Sequence, residues 1–161
     1  MAILIRRMRP EDREQVVALL ARWNLAPVAP TPAVPEPERA DIIVENSVVA
    51  LDKDRIVGVC SHIRHSETLA EGASLAVDPA YHGRRVGERL MRANRREMYA
   101  RGIRRIRSES DNPRTIAWLV RRFGYRIVGT APKRHPFGLA DVDHWTVLEC
   151  ELREPPAPER E

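Results

Sequence analysis

"SLAVDPAYHGRRVGERLMRANRREM", residues 74–98, changes character in its middle, and the fold turns on how that change is read. It opens as an apolar strand at 74–77 and breaks at Asp78-Pro79. It then passes through Gly83-Arg84-Arg85-Val86-Gly87 and continues as a helical pattern. A strand–loop–helix joint with little side-chain bulk and two cations is a place to put phosphate. The first backbone N–H groups of a helix lack intrahelical acceptors, and the macrodipole adds about half a positive charge there. Small residues let an anion reach those donors. Gly83 and Gly87 give that access, while Arg84 and Arg85 add full charges. The segment is neither a Walker loop, which needs GK[ST], nor the GxGxxG of dinucleotide binders.

Working outward, residues 2–8 read as a strand. Residues 9–23 read as a helix, with Pro10 near its start and Val16, Leu19, Leu20 and Trp23 at helical spacing. Residues 24–39 carry five prolines, which excludes a regular helix and leaves a spacer or a lid on a substrate site. Strand-like runs follow at 42–51, 55–64 and 68–77, separated by short turns. A helix over 86–101 ends at Gly102. Then come a strand (103–110), a helix (112–123), a strand (125–131), a loop and a last strand (144–152). The order β-α-loop-β-β-β-α-β-α-β-β predicts a mixed α/β layer structure. One domain over 1–152 is expected, with a polar, proline-rich tail at 153–161 that is disordered.

The 161 residues suit a single core, and 43% apolar with 31% charged residues describes a globular chain. No apolar run approaches the roughly 20 residues of a membrane span, and no signal peptide is recognisable at the start. Cys60 and Cys150 lack CxxC spacing, so a disulfide scaffold is not expected and a cytoplasmic location is the default. The net charge of +4 is almost all arginine, with lysine only at 53 and 133. Aromatics at 5%, without a long basic tail, argue against nucleic acid as the partner.

The pattern "LAVDPAYHGRRVGERLM" resembles the acyl-CoA-binding motif of the GNAT superfamily of N-acetyltransferases, in which a strand ending in V-x-P leads into a Q/R-x-x-G-x-G/A loop. "SDNPRTIAWLVRRFGY" (110–125) resembles the family's second motif, and the order of elements is also that fold's. The resemblance implies a mostly antiparallel sheet of about six or seven strands flanked by helices. It implies acetyl-CoA as co-substrate and no metal. His82, Gly83, Arg84, Arg85, Val86, Gly87 and Glu88 would hold the pyrophosphate. His82 stands where the family has Arg or Gln, and Arg85 where it has its central Gly. Arg85 then either points into solvent or offers its planar fork to a CoA phosphate. The pantetheine arm would pair with Leu75, Ala76 and Val77, and an N–H near Val77 would polarise the thioester carbonyl. Asn112 matches a cofactor-contacting Asn and is equally a helix N-cap ahead of Pro113.

Acetyl transfer to an amine needs a base, because only the neutral amine attacks. Glu71, six residues before Val77, resembles the catalytic glutamate of the histone-acetyltransferase branch; the alternative is an exposed residue beside Gly72. The family's acidic tyrosine would stand five residues before Tyr125, where this chain has Val120. A thiol of pKa about 8.5 can take its proton from water, ordered by Ser108, Ser110 or Asn112. Cys60 and His62 face one way on a strand and His65 the other, which speaks against a metal site. His135 and His144 read as surface residues or acceptor contacts.

The reading is an enzyme that moves an acetyl group from acetyl-CoA to a primary amine, a small molecule, by direct attack in a ternary complex. Two alternatives stand beside it: a non-catalytic acyl-CoA-binding module on the same fold, and a protein N-acetyltransferase. The acceptor is not encoded in any motif. No membrane partner is expected, and a homodimer is left open.

Overall fold

The computed structural model describes residues 2–158, with Glu38 described by its backbone alone. In chain order the elements are β1 (Ile3–Arg7), α1 (Arg13–Arg22), β2 (Ser47–Asp52), β3 (Arg55–Arg64), β4 (Leu69–Val77), α2 (Val86–Ala100), β5 (Arg105–Ser110), α3 (Pro113–Phe123), β6 (Arg126–Pro132) and β7 (His144–Glu151). The seven strands form one sheet in the order β1-β2-β3-β4-β5-β7-β6. All neighbours are antiparallel except β4 and β5, which α2 joins by a crossover. This is the mixed α/β architecture that the element order predicts.

Strand alternation divides the apolar residues between the two faces of the sheet. On one face Val57, Cys60, Ala70, Ile106 and Leu148 pack under α2 and α3, against Leu90, Met98, Leu119 and Phe123. On the other, Val49, Leu51, Val59 and Ala76 pack under Val16, Leu19 and Leu20 of α1. Gly58 marks the tightest approach: a Cβ there would lie 2.7 Å from Leu90 Cδ1. Both long helices end on left-handed glycines, Gly102 (φ 92°) and Gly124 (φ 69°), which release the chain into the next strand.

One boundary differs from the sequence expectation. Residues 42–46 are apolar enough for a strand, yet β2 begins only at Ser47. β1 has five residues, and its pairing with β2 starts at Arg7↔Val48, so the preceding segment has no partner on that side. It makes a 3-10 turn at Val44–Asn46, held by Arg101, whose guanidinium donates to Asn46 Oδ1 and to the Glu45 carbonyl.

The proline-rich loop 24–39 is folded back on itself: Val28 N–H donates to the Arg39 carbonyl at 2.8 Å, and Val34 is buried. At the C-terminus Leu152 is still buried, with its N–H on the Arg104 carbonyl. Residues 153–158 carry neither helix nor strand, and the last part of the expected tail, 159–161, lies outside the described residues.

Candidate active site

The site begins where two strands separate. β4 pairs with β5 only from Leu69↔Arg105 to Gly72↔Ser108, and beyond that point β5 pairs with β7 alone. A bulge on β4, where Ser61↔Ser74 is followed by His62↔Gly72, adds twist at the parting. Gly72 is needed there, since a Cβ would lie 2.7 Å from Ser108 Oγ. The opening widens into a cleft of about 1920 Å³ that runs from the α2 N-terminus to the loops 24–39 and 133–143.

The edge of β4 presents backbone groups to this cleft. Asp78 N–H donates to the Val57 carbonyl, so by antiparallel alternation Ala76 and Ser74 also bond toward β3. The N–H groups of Leu75 and Val77 therefore point the other way, into the opening. Ala76 instead gives its side chain to the α1 core. The Val77 carbonyl is already engaged: Trp23 Nε1–H donates to it at 3.2 Å, and His82 Nε2 lies 3.2 Å from the same oxygen. Trp23 and His82 stack at 5.6 Å.

The loop 78–85 is built tightly. Asp78 accepts from Ala80 N–H and pairs with Arg55 and Arg22, contacts that hold its carboxyl below the usual range. Gly83 (φ 77°) and Arg85 (φ 58°) both take left-handed backbone conformations, and Arg85 is the N-cap of α2 with no side-chain cap bond. The first-turn N–H groups of α2 consequently face the cleft without a capping side chain. The two arginines separate: Arg85 lines the cleft, whereas Arg84 lies over the Tyr81 ring, 5.1 Å from its centroid. Glu88 is tied to Arg92 and Arg122, which hold it below the usual carboxylate range. Asn112 caps α3, its Oδ1 accepting from Arg114 N–H at 3.0 Å.

Glu71 is buried on the α1 side of the sheet. Arg39, from the proline-rich loop, donates to both of its oxygens at 2.8 Å, and His65 Nε2 lies 3.2 Å from Oε2. A second carboxylate shares this face. Glu109 is half-buried, and burial together with the charge of Glu71 pushes its pKa up. Sequence reading passed over Glu109. Its parity with Arg107, the residue that pairs in register with Glu71, is the signal that would have placed it on this face.

On the opposite face Cys60 and His62 meet Asn94 of α2: His62 Nδ1 lies 2.9 Å from Asn94 Oδ1, and Asn94 Nδ2 donates to Cys60 Sγ at 3.3 Å. Burial pushes His62 down and the Cys60 thiol up to about 12. His65, on the far side with Glu71, is not part of that cluster. Ser108 is buried and bonded to the Tyr125 hydroxyl, which burial pushes up to about 12. Ser110 Oγ accepts from Asn112 N–H at 3.3 Å. Val120 is exposed, and Trp118 packs edge-on to Phe123. His135 lines the cleft against Phe137, while His144 is exposed and paired with Asp143.

The loop 133–143 is anchored by Lys133, buried at 6% exposure. Its Nζ donates to Asp111 and to the carbonyls of Phe137 and Leu139, over the Trp145 ring. Two further links tie this loop to 24–39: Asn24 with Pro136 and Gly138, and Arg134 with Glu36.

Against known families, residues 44–127, more than half of the 161-residue chain, match the model described as "Acetyltransferase (GNAT) domain". The chain belongs to the GNAT acetyltransferase family. The solved structures it resembles share that fold. Ard1 from Thermoplasma volcanium superposes with a TM-score of 0.75 at 22% identity, covering 96% of this chain and 100% of that one. The ribosomal-protein-S18-alanine N-acetyltransferase from Escherichia coli gives a TM-score of 0.73 at 15% identity, over 99% of both chains. N-acetylglutamate synthase from Neisseria gonorrhoeae, complexed with coenzyme A and N-acetyl-glutamate, gives 0.69 at 19% identity over 95% of this chain and 36% of that one. No curated protein sequence matches the chain. Among the described residues no helix is long and apolar enough to cross a membrane, and no group of three or more metal-ligating side chains occurs.

Proposed function

We propose that this GNAT acetyltransferase moves the acetyl group of acetyl-CoA to the primary amine of a small molecule, by direct attack with both substrates bound in the cleft. The supporting observation is the parting of β4 from β5 beside the uncapped start of α2. It leaves an unpaired strand edge and a helix N-terminus in line, at one end of one cleft.

Acetyl-CoA supplies an acetyl group activated as a thioester. In this reading the N–H groups of Val86, Gly87 and Glu88, with the Arg85 guanidinium, hold its phosphates. Gly83 keeps the approach open. Leu75 pairs with the pantetheine amides as a neighbouring strand would, and Val77 N–H donates to the thioester oxygen as charge develops there. The carbonyl of Val77, engaged by Trp23 and His82, holds the next peptide unit, Val77–Asp78, at the end of the strand. Asn112 contributes as the cap that sets the start of α3. Glu71 takes the proton of the incoming ammonium, after Arg39 swings aside, and His65 connects it to solvent. One N–C bond forms and one C–S bond breaks, and the second proton of the attacking nitrogen passes through water to the departing thiolate, a role Val120 cannot fill.

The folded loop 24–39 favours a small acceptor over a protein segment, because it is pinned to the loop 133–143 across the acceptor end. Calorimetric titration with acetyl-CoA, repeated on Arg85→Ala, tests the first half of the reading. Micromolar binding that weakens in the variant supports it, and a folded protein that does not bind acetyl-CoA overturns it.

A further inference from the structure

The acceptor half of the cleft holds charged side chains that its ion pairs do not use. Arg39 is paired with Glu71, Arg134 with Glu36, and the buried Lys133 with Asp111. Arg107 and Glu109 also line this half, yet among the described residues neither side chain makes a hydrogen bond or an ion pair within 4 Å. They stand two residues apart on β5, hence on one face and about 6.7 Å apart along the strand. That face is the one carrying Glu71 of β4, whose register partner on β5 is Arg107.

An arginine and a carboxyl group side by side and not bonded to each other are complementary to a ligand carrying both charges. We propose that the acceptor is a zwitterion of the free amino-acid type, its carboxylate on the Arg107 guanidinium and its ammonium on Glu109 beside Glu71. This rests on the transferase reading above and names the substrate class of the same site.

A simple amine would satisfy Glu109 but strip water from Arg107 without replacing it, and a polar group left unpaired in a filled site lowers affinity. A dianionic phosphate would bring two charges to the single arginine Arg107 and set them beside Glu109. A carboxylate, singly charged and matched to the planar fork of arginine, balances the site. The upward push on Glu109 from burial and from Glu71 is what an arriving ammonium would relieve. The ammonium proton then passes to Glu71.

The test is CoA release from acetyl-CoA with a panel of free L-amino acids, each set against its own carboxamide, which keeps the amine and removes the carboxylate charge. The expected result is one or more amino acids preferred over their amides by about tenfold or more in kcat/KM. That ratio should fall toward one in Arg107→Gln, with the melting temperature showing that the variant is folded. Equal use of acid and amide, or a preference unchanged in Arg107→Gln, overturns the inference; so does acetylation confined to peptides or to amines lacking a carboxylate. Those outcomes leave the transferase reading standing. Failure to bind acetyl-CoA at all removes both.

Discussion

Arg39 places one nitrogen, Nη2, 2.8 Å from each carboxylate oxygen of Glu71, so a loop residue occupies the buried carboxylate of β4. The pair couples the proline-rich loop to the sheet. A double-mutant cycle with Arg39→Ala and Glu71→Gln should report a coupling of about 1–2 kcal/mol, between the values for exposed and buried pairs. Denaturant unfolding of the four proteins checks it; additive effects would mean that the contact contributes nothing to the loop's closure.

Arg85 carries a left-handed backbone, φ 58°, at the start of α2. A non-glycine residue there costs about 1–2 kcal/mol, part of which glycine gives back through its freer unfolded chain. Arg85→Gly should raise the melting temperature by about 1–4 °C. If the guanidinium meets phosphate, the same variant binds CoA more weakly. Calorimetry and thermal unfolding on one sample should therefore move in opposite directions.

Glu109 titrates above the ordinary glutamate range because burial and the negative charge of Glu71 both disfavour its ionised form. Glu71→Gln deletes that charge, so the Glu109 midpoint should move down in pH. Carboxyl-carbon NMR reads this without relying on activity. An unmoved midpoint would place the two carboxylates too far apart to share an ammonium. A carboxylate raised in the folded state favours folding below its unfolded pKa and loses that contribution as pH rises through the folded value.

Lys133→Met leaves Asp111 buried without its cation and frees the carbonyls of Phe137 and Leu139. The loss should be about 3–5 kcal/mol. Because Lys133 touches the loop 133–143 and not the α2 end of the cleft, acceptor KM should rise while acetyl-CoA affinity is retained. Equal loss of both would show that the two ends of the cleft are not independent.

Both cysteines are buried, and burial holds the Cys60 thiol at about 12. Ellman's reagent should find almost no thiol in the native protein at pH 8 and two in denaturant, so CoA release can be followed with it directly.

The strand and helix order was legible because each element advertises its own ends: Asp78-Pro79 closes β4, Gly102 and Gly124 end α2 and α3. The beginning of β2 was not, since residues 42–46 have strand composition and only the short length of β1 denies them a partner. At the site, the open start of α2 was legible from Gly83 to Gly87, because a strand–loop–helix joint is local in sequence. Glu109 and Arg39 were not, as their meaning depends on register across β4–β5 and on where a proline-rich loop lands. The divergence of Arg84 from Arg85 was hidden for a related reason: adjacent residues leave a loop in directions set by φ, and φ at Arg85 is left-handed.

A protein that works beside an acetyl thioester exposes its own amines to the same reagent. This chain has two lysines, and one of them, Lys133, is held over the Trp145 ring by three acceptors. The other, Lys53, projects from the β2–β3 turn, on the surface. Elsewhere the positive charge is arginine, whose guanidinium does not accept acetyl under these conditions. Among its lysine side chains the molecule therefore offers its own reagent a single exposed target, and prolonged incubation with acetyl-CoA should mark Lys53 while sparing Lys133.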